Sequence, residues 1–250
     1  MRTLIIAMIV FAVSGQGTAH GLWNKFAENP VLTPTEMDAF DAAGAASPSV
    51  IRIAGTHYVY YTARGADGVS RIAAARSSDL VLWEKLGIAL ETGPAQRFDT
   101  FGVSAPEVVQ ALSGYFMYYM GFDGIRWRIG LAASTDGIAW TRVPGPAAGG
   151  AVLEQGPPGA FDAVRLGEPA VLADETGFRM WYSGNDGSII DRIGYAESTD
   201  GVTWIRVAGP GPGGCVLDRG PHGYADGGVL SPAVRLMGGH YRMVFTARHY

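Results

Sequence analysis

The sequence predicts an all-β fold, a β-propeller built from four-stranded antiparallel blades. Three observations carry that expectation. One block of about 60 residues is written four times, the last copy incompletely. Each block holds short apolar or aromatic runs separated by turn residues, and no sustained helical periodicity follows residue 20. A Ser-x-Asp-x-x-x-Trp box closes three of the four blocks, from Ser77 to Trp83, Ser134 to Trp140 and Ser198 to Trp204.

The prolines set the register. Ser47-Pro48-Ser49-Val50, Ala105-Pro106-Glu107-Val108, Glu168-Pro169-Ala170-Val171 and Ser231-Pro232-Ala233-Val234 lie 58, 63 and 63 residues apart. An aspartate stands seven residues before the first three prolines and six before the fourth: Asp41, Asp99, Asp162 and Asp226. An aromatic doublet or its equivalent follows each proline: Tyr60-Tyr61, Tyr118-Tyr119, Trp181-Tyr182 and Val244-Phe245.

In the first block, residues 50–53 read as a short apolar strand and Ala54-Gly55 as a turn. Residues 57–62, rich in Tyr and Val, read as a second strand, and Asp67-Gly68 as a hairpin turn. Residues 71–75 form a third strand of small side chains, and 83–86 a fourth after the box. The second block repeats the order at 107–110, 115–120, 128–132 and 140–143. The third does so at 170–172, 178–182, 192–196 and 204–207. The fourth has only 233–236 and 241–246. A β-sandwich also uses short strands, but nothing in it requires proline, aromatic doublet and box to recur in fixed order.

Residues 22–32 resemble the ends of the blocks, so an outer strand displaced to the start of the chain is expected to complete the last blade and hide its edge. The expected architecture is three complete blades plus a partial fourth, from a five-bladed parent shortened at its C-terminus. A degenerate four-bladed ring, or closure by dimerisation, is the alternative.

Residues 1–19 read as a signal peptide, with Arg2, an apolar run from Leu4 to Val13 and small residues before His20. Residues 20–250 then form a single domain, secreted or periplasmic and free of the membrane once the leader is removed, because the apolar run falls short of the ~20 residues of a spanning helix. The composition is 48% hydrophobic and 17% charged, with a net charge of −4. The two lysines, Lys25 and Lys85, and the absence of any basic run exclude a nucleic-acid face. The single cysteine, Cys215, excludes an internal disulfide and reads as a small apolar residue. His57 and His222 lack metal-ligand spacing, and no metal or cofactor is expected.

Phe161-Asp162, Pro169-Ala170-Val171, Met180-Trp181-Tyr182-Ser183-Gly184, Arg192-Ile193-Gly194-Tyr195-Ala196 and Ser198-Thr199-Asp200-Gly201 with Trp204 closely resemble the five-bladed glycoside hydrolases of families 43, 32, 68, 117 and 130. The resemblance covers residues 22–248 and rests on residues that build blades. It implies a carbohydrate partner, with arabinan, xylan, fructan and mannoside linkages as the range. The box also resembles the Asp-box of sialidases, one residue tighter, and reads as a turn cap.

Glycoside hydrolysis needs two carboxyl groups flanking the bond. Families 43 and 32 carry Asp, Asp and Glu before the proline in successive blades. Here those places hold Ser47, Ala105 and Glu168. Glu168 therefore matches the general acid of family 43, while Ser47 stands where the base belongs and Ala105 where its tuning aspartate belongs. Glu107, two positions beyond Ala105 and on the same strand face, is a candidate to lend the missing charge. Asp41 is the candidate base among the repeated aspartates. Asp99 and Asp162 are expected at the rim as substrate contacts, although their repetition also fits turn capping. Arg165 has no counterpart in the other blocks. It is expected to bind a sugar hydroxyl or carboxylate, or to sit against Glu168 and spoil it as an acid. Trp127 and the Asn185-Asp186-Gly187 loop could offer a sugar a stacking platform and hydrogen bonds. The competing reading is a non-catalytic carbohydrate- or partner-binding propeller that has lost its base.

Overall fold

A computed structural model describes residues 26, 27, 29–34, 40–220 and 225–249. Three four-stranded antiparallel sheets and one two-stranded sheet follow in chain order. The first comprises β1 (Gly44–Ile53), β2 (Thr56–Arg64), β3 (Ser70–Ser77) and β4 (Glu84–Leu90). The second comprises β5 (Gly102–Ala111), β6 (Gly114–Phe122), β7 (Trp127–Ser134) and β8 (Thr141–Val143). The third comprises β9 (Arg165–Asp174), β10 (Gly177–Asn185), β11 (Arg192–Ser198) and β12 (Ile205–Arg206). The last is the hairpin β13 (Gly228–Met237) and β14 (His240–Arg248). Strand β5 neighbours β1, β9 neighbours β5, and β13 neighbours β9, so the first strands of the sheets lie side by side.

The first strand of each sheet starts earlier than its hydrophobic run suggests, at Gly44, Gly102, Arg165 and Gly228 rather than at 50, 107, 170 and 233, and it passes through the proline. A bulge makes this possible. The pairing register slips between Ala46 and Ser49, between Ser104 and Glu107, and between Leu230 and Ala233, with the same slip opposite Trp181 and Ser183. In each bulge the residue before proline is left-handed: Ser47 at φ 48°, Ala105 at 47°, Glu168 at 52° and Ser231 at 51°. Such a backbone is uncommon for non-glycine residues and marks a place over-determined by its surroundings.

The cores lie between sheets. Tyr58, Tyr60, Ile72 and Ala74 of the first sheet pack on Val103, Val108, Met117 and Tyr119 of the second. Tyr118, Ile129 and Leu131 do the same with Leu166, Val171, Met180 and Tyr182 of the third. Trp181 and Ile193 then meet Val229 and Val234 of the hairpin. The box tryptophans also pack across sheets: Trp140 is edge-on to Tyr60 at 5.4 Å and Trp204 to Tyr118 at 5.6 Å. Tyr60 donates to the carbonyl of Gly137, and Tyr118 to that of Gly201 at 2.9 Å, so the first tyrosine of each of these two doublets holds the box turn of the next sheet. Within the box, Asp79 Oδ1 accepts the amides of Val81 and Leu82, and Asp136 and Asp200 do likewise for their turns. These backbone amides hold the Asp200 carboxyl down at about 2.

The expected leader over 1–19, residues 22–25 and 28 of the expected closing segment, and His222 lie outside the described residues. Residues 26, 27 and 29–34 carry no strand. Leu32 packs against Val59, Tyr61 and Ala63 of the first sheet, and Lys85 Nζ donates to the carbonyl of Thr33 at 2.6 Å. The described part of that segment therefore joins the outer face of the first sheet.

Candidate functional site

The repeated aspartates are buried latches. Asp41, Asp99 and Asp162 have no exposed surface. Each accepts the hydroxyl of the second tyrosine of its own doublet: Tyr61 at 3.1 Å, Tyr119 at 2.8 Å and Tyr182 at 3.0 Å. Each also pairs with a cation from the fourth strand: Lys85 at 2.5 Å, Arg142 at 2.7 Å and Arg206 at 2.9 Å. The same cations reach back to the preceding connection, at the carbonyls of Thr33, Glu91 and Glu154. Burial and the neighbouring carboxylate raise the phenols and keep them protonated donors. The repetition thus has a packing cause. Tyrosine and cation hold Oδ2, and Oδ1 of Asp99 and of Asp162 is buried beside Gly93 and Gly156 without a hydrogen-bond partner among the described residues. With no exposed surface these carboxylates offer a substrate no contact, so the rim positions expected for Asp99 and Asp162, and the base expected in Asp41, are occupied by latches.

Glu168 is placed differently. Its left-handed bulge near the start of β9 leaves the side chain 19% exposed. Its Oε2 accepts the backbone amide of Ser231, on neighbouring β13, at 3.2 Å. The amides of two other bulges are tied to hydroxyls of the preceding sheet: Ala105 N donates to Thr62 Oγ1 and Ser231 N to Ser183 Oγ, both at 2.8 Å. The corresponding residue before Glu168 is Met120, which has no hydroxyl. Its sulfur packs so closely on Gly167 that an added Cβ there would stand 2.0 Å away.

Glu107 joins sheets. Ser49 Oγ on β1 donates to Glu107 Oε2 at 3.0 Å and accepts the amide of Val108 at 3.0 Å. Arg235 Nη1, on β13, lies 3.9 Å from Glu107 Oε1, so groups from β5 and β13 approach each other across β9. Burial pushes the Glu107 carboxyl up to about 7, against Ser49, Arg235 and the Val171 amide, which favour the ionised form. A carboxyl poised there can give or take a proton near neutrality.

Arg165 opens β9 where the other first strands have Gly44, Gly102 and Gly228. Its guanidinium lies 3.1 Å from Asp191 Oδ1 and 3.8 Å from Glu168 Oε1. Arg248 closes the other side of the buried Asp191 at 2.5 Å. The sequence reading did not single out Asp191, Arg235, Ser49 or Arg248, although Asp191 differs from its counterparts Ser70 and Trp127. Trp127 stacks on Phe122 with ring centres 4.4 Å apart, which covers one face of its indole. The Asn185-Asp186-Gly187 loop satisfies itself: Asn185 Nδ2 donates to the Ser188 carbonyl at 3.0 Å, and Asp186 pairs with Arg192 at 3.0 Å. Among the described residues no three His, Cys, Asp or Glu side chains gather as metal ligands.

Glu168, Arg165 and Glu107 thus sit on adjoining first strands, while Asp41, Asp99 and Asp162 are buried against side chains of the second and fourth strands. No protein-family model matches the chain. It is 31% identical over 176 residues to an uncharacterized protein of Mycobacterium tuberculosis (strain CDC 1551 / Oshkosh), an alignment covering 64% of this chain and 52% of that protein. The chain spans about half the length of the curated relatives it matches. A glycosyl hydrolase from Bacteroides ovatus superposes with a TM-score of 0.72 at 15% identity, over 93% of this chain and 72% of that one. A structure from family 130, described as mannoside phosphorylases and glycoside hydrolases that target β-1,2 mannosidic linkages in Candida mannan, gives 0.69 at 15% identity over 90% and 69%. By structure the chain has the β-propeller fold of the glycoside hydrolases of families 130, 43 and 117.

Proposed function

We propose that the chain is a propeller acting on an oligo- or polysaccharide, with Glu168 as the proton donor and Glu107 as its partner carboxyl. The observation that carries the reading is Glu168 itself. It is the carboxylate of the residue-before-proline series, it keeps solvent access, and its strained bulge is held by the amide of the next sheet. Glu107, raised to about 7 on the adjoining strand, supplies a second group able to exchange protons at neutral pH. Three blades and half of a fourth from a five-bladed ring is the architecture we attach to it, with export directed by residues 1–19. The test is reducing-sugar release from a panel of arabinan, xylan, fructan and mannan. Glu168→Gln should lower turnover by about 10²-fold or more while leaving the melting temperature unchanged. Undiminished hydrolysis by the variant sinks the assignment.

A binding propeller without turnover is the second reading. Ser47 and Ala105 in place of carboxylates favour it, as do the Arg165 guanidinium 3.8 Å from Glu168, which favours the ionised carboxylate over a proton donor, and Asp41, which is enclosed with Tyr61 and Lys85 and so offers no replacement base. Glycan binding with no product from any wild-type reaction supports this reading over the first.

A further inference from the structure

The repeat departs from itself at a second place besides Glu168, on the second sheet. Two residues before the latch aspartate stand Ala39, Arg97 and Ala160 in successive blocks. Immediately before the first strand stand Ala43, Phe101 and Val164. The second block therefore carries an arginine and a phenylalanine where its neighbours carry smaller apolar residues.

Both line one cavity of about 520 Å³, within the roughly 300–1,000 Å³ of small-molecule sites. Arg97 makes no side-chain hydrogen bond or ion pair, and its Nε is buried without a partner among the described residues. Its guanidinium lies over Gly150, where an added Cβ would come within 2.9–3.1 Å of it, so the glycine leaves the space that the group fills. The other arginine of the cavity, Arg128, is spoken for by Asp123 at 2.5 Å and Glu154 at 3.7 Å. The charge of Arg97 is therefore uncompensated. Beside it Phe101 is 63% exposed and Ile125 86% exposed. Phe101 lies over Gly124, whose missing Cβ would stand 3.2 Å from the ring.

An exposed aromatic face next to an unpaired, partly desolvated guanidinium suits a sugar ring that bears an acid group. The ring's C–H face lies on the phenyl, and the planar fork pairs with the anion. A second cavity of about 620 Å³, lined by Arg126, Gln155, Val164 and Asp186, shares with the first the turn between β6 and β7, and two neighbouring recesses suit a chain of sugars better than a lone ion. Both recesses flank the starts of β5 and β9, the end of the sheets where Glu168 and Arg165 lie.

We infer that the Arg97–Phe101 cavity is a subsite for an acidic sugar unit, carrying a carboxylate or a sulfate ester, within the glycan. The inference rests on the carbohydrate reading above and names its substrate class. Affinity electrophoresis at ~0.1 M salt tests it with polygalacturonate, a sulfated galactan, neutral arabinan, neutral mannan and poly-glutamate. One or both acidic polysaccharides should retard the wild-type protein more than the neutral ones, and which of the two does so identifies the anion. Arg97→Ala should weaken that binding at least about tenfold, with Arg97→Lys intermediate because it keeps charge without the fork. Phe101→Ala should weaken it as well and serves as the readout if Arg97→Ala melts early. Equal retardation by neutral polymers, equal binding by poly-glutamate, or unchanged binding by Arg97→Ala overturns the subsite. Neutral-glycan binding indifferent to Arg97 would leave the carbohydrate reading standing. Failure of every polysaccharide to bind would remove both.

Discussion

The hydroxyl of Ser49 donates to the carboxyl of Glu107 across the junction between the first two sheets, at 3.0 Å. The same oxygen accepts the amide of Val108, so one serine fixes both a largely buried acid and the backbone beside it. This small junction makes the protein's stability depend on pH in a definite direction.

Glu107 titrates at about 7 in the folded chain against an ordinary 4.5. Below the lower value both folded and unfolded chains carry the proton. Between the two values the unfolded chain ionises and the folded one resists. Stability should therefore fall as pH rises through that window, by on the order of 3 kcal/mol, and level off above it. Glu107→Gln should remove this part of the slope in denaturant melts at pH 4.5 to 7.5. An unchanged slope would mean that the buried acid is not its source.

Asp99→Ala should be far more damaging than its distance from Glu168 suggests. The change strands the Arg142 cation and the Tyr119 hydroxyl in the packing between sheets. A loss of about 3–5 kcal/mol is expected, read as a fall in urea midpoint. Loss of activity without loss of stability would instead give Asp99 a chemical role.

Phe161 lies over Gly184 and Gly194 on adjacent strands, and a Cβ at Gly194 would stand 2.1 Å from the ring. Gly194→Ala should cost about 1–3 kcal/mol through overpacking. The equivalent Gly130→Ala, facing Phe98 at the same 2.1 Å, should cost about as much. Thermal melts of the two variants check that the two blocks share one packing device.

Cys215 is fully buried, and burial pushes its thiol up. It should react with a thiol reagent only on unfolding, so the labelling rate should follow the population of open chain as urea is added. Rapid labelling of the native protein would contradict its placement.

The sheets and latches were legible because they are copied. The alternation around Tyr60-Tyr61 and Tyr118-Tyr119, the turn glycines and the boxes all agree at the local level. The start of β1, β5, β9 and β13 was not legible. A residue before proline prefers an extended backbone, and only the register slip, a property of the paired strand, allows Ser47 or Glu168 a positive φ. The latch role of Asp41, Asp99 and Asp162 could be suspected from repetition, but the tyrosine and cation that enclose them come from strands 20 and about 43 residues away. Arg97 left a plain trace: it breaks the series Ala39, Arg97, Ala160.

The hydrogen bonds from Tyr60 to Gly137 and from Tyr118 to Gly201 each start in one sheet and end in the next. Their consequence is that the cooperative element of this protein is the junction, not the block that repeats in the sequence. The second and third sheets each serve two junctions, so damage inside either should loosen both of its neighbours. A residue's energetic importance should then follow the number of junctions it bridges, in the manner of a short one-dimensional lattice with nearest-neighbour coupling.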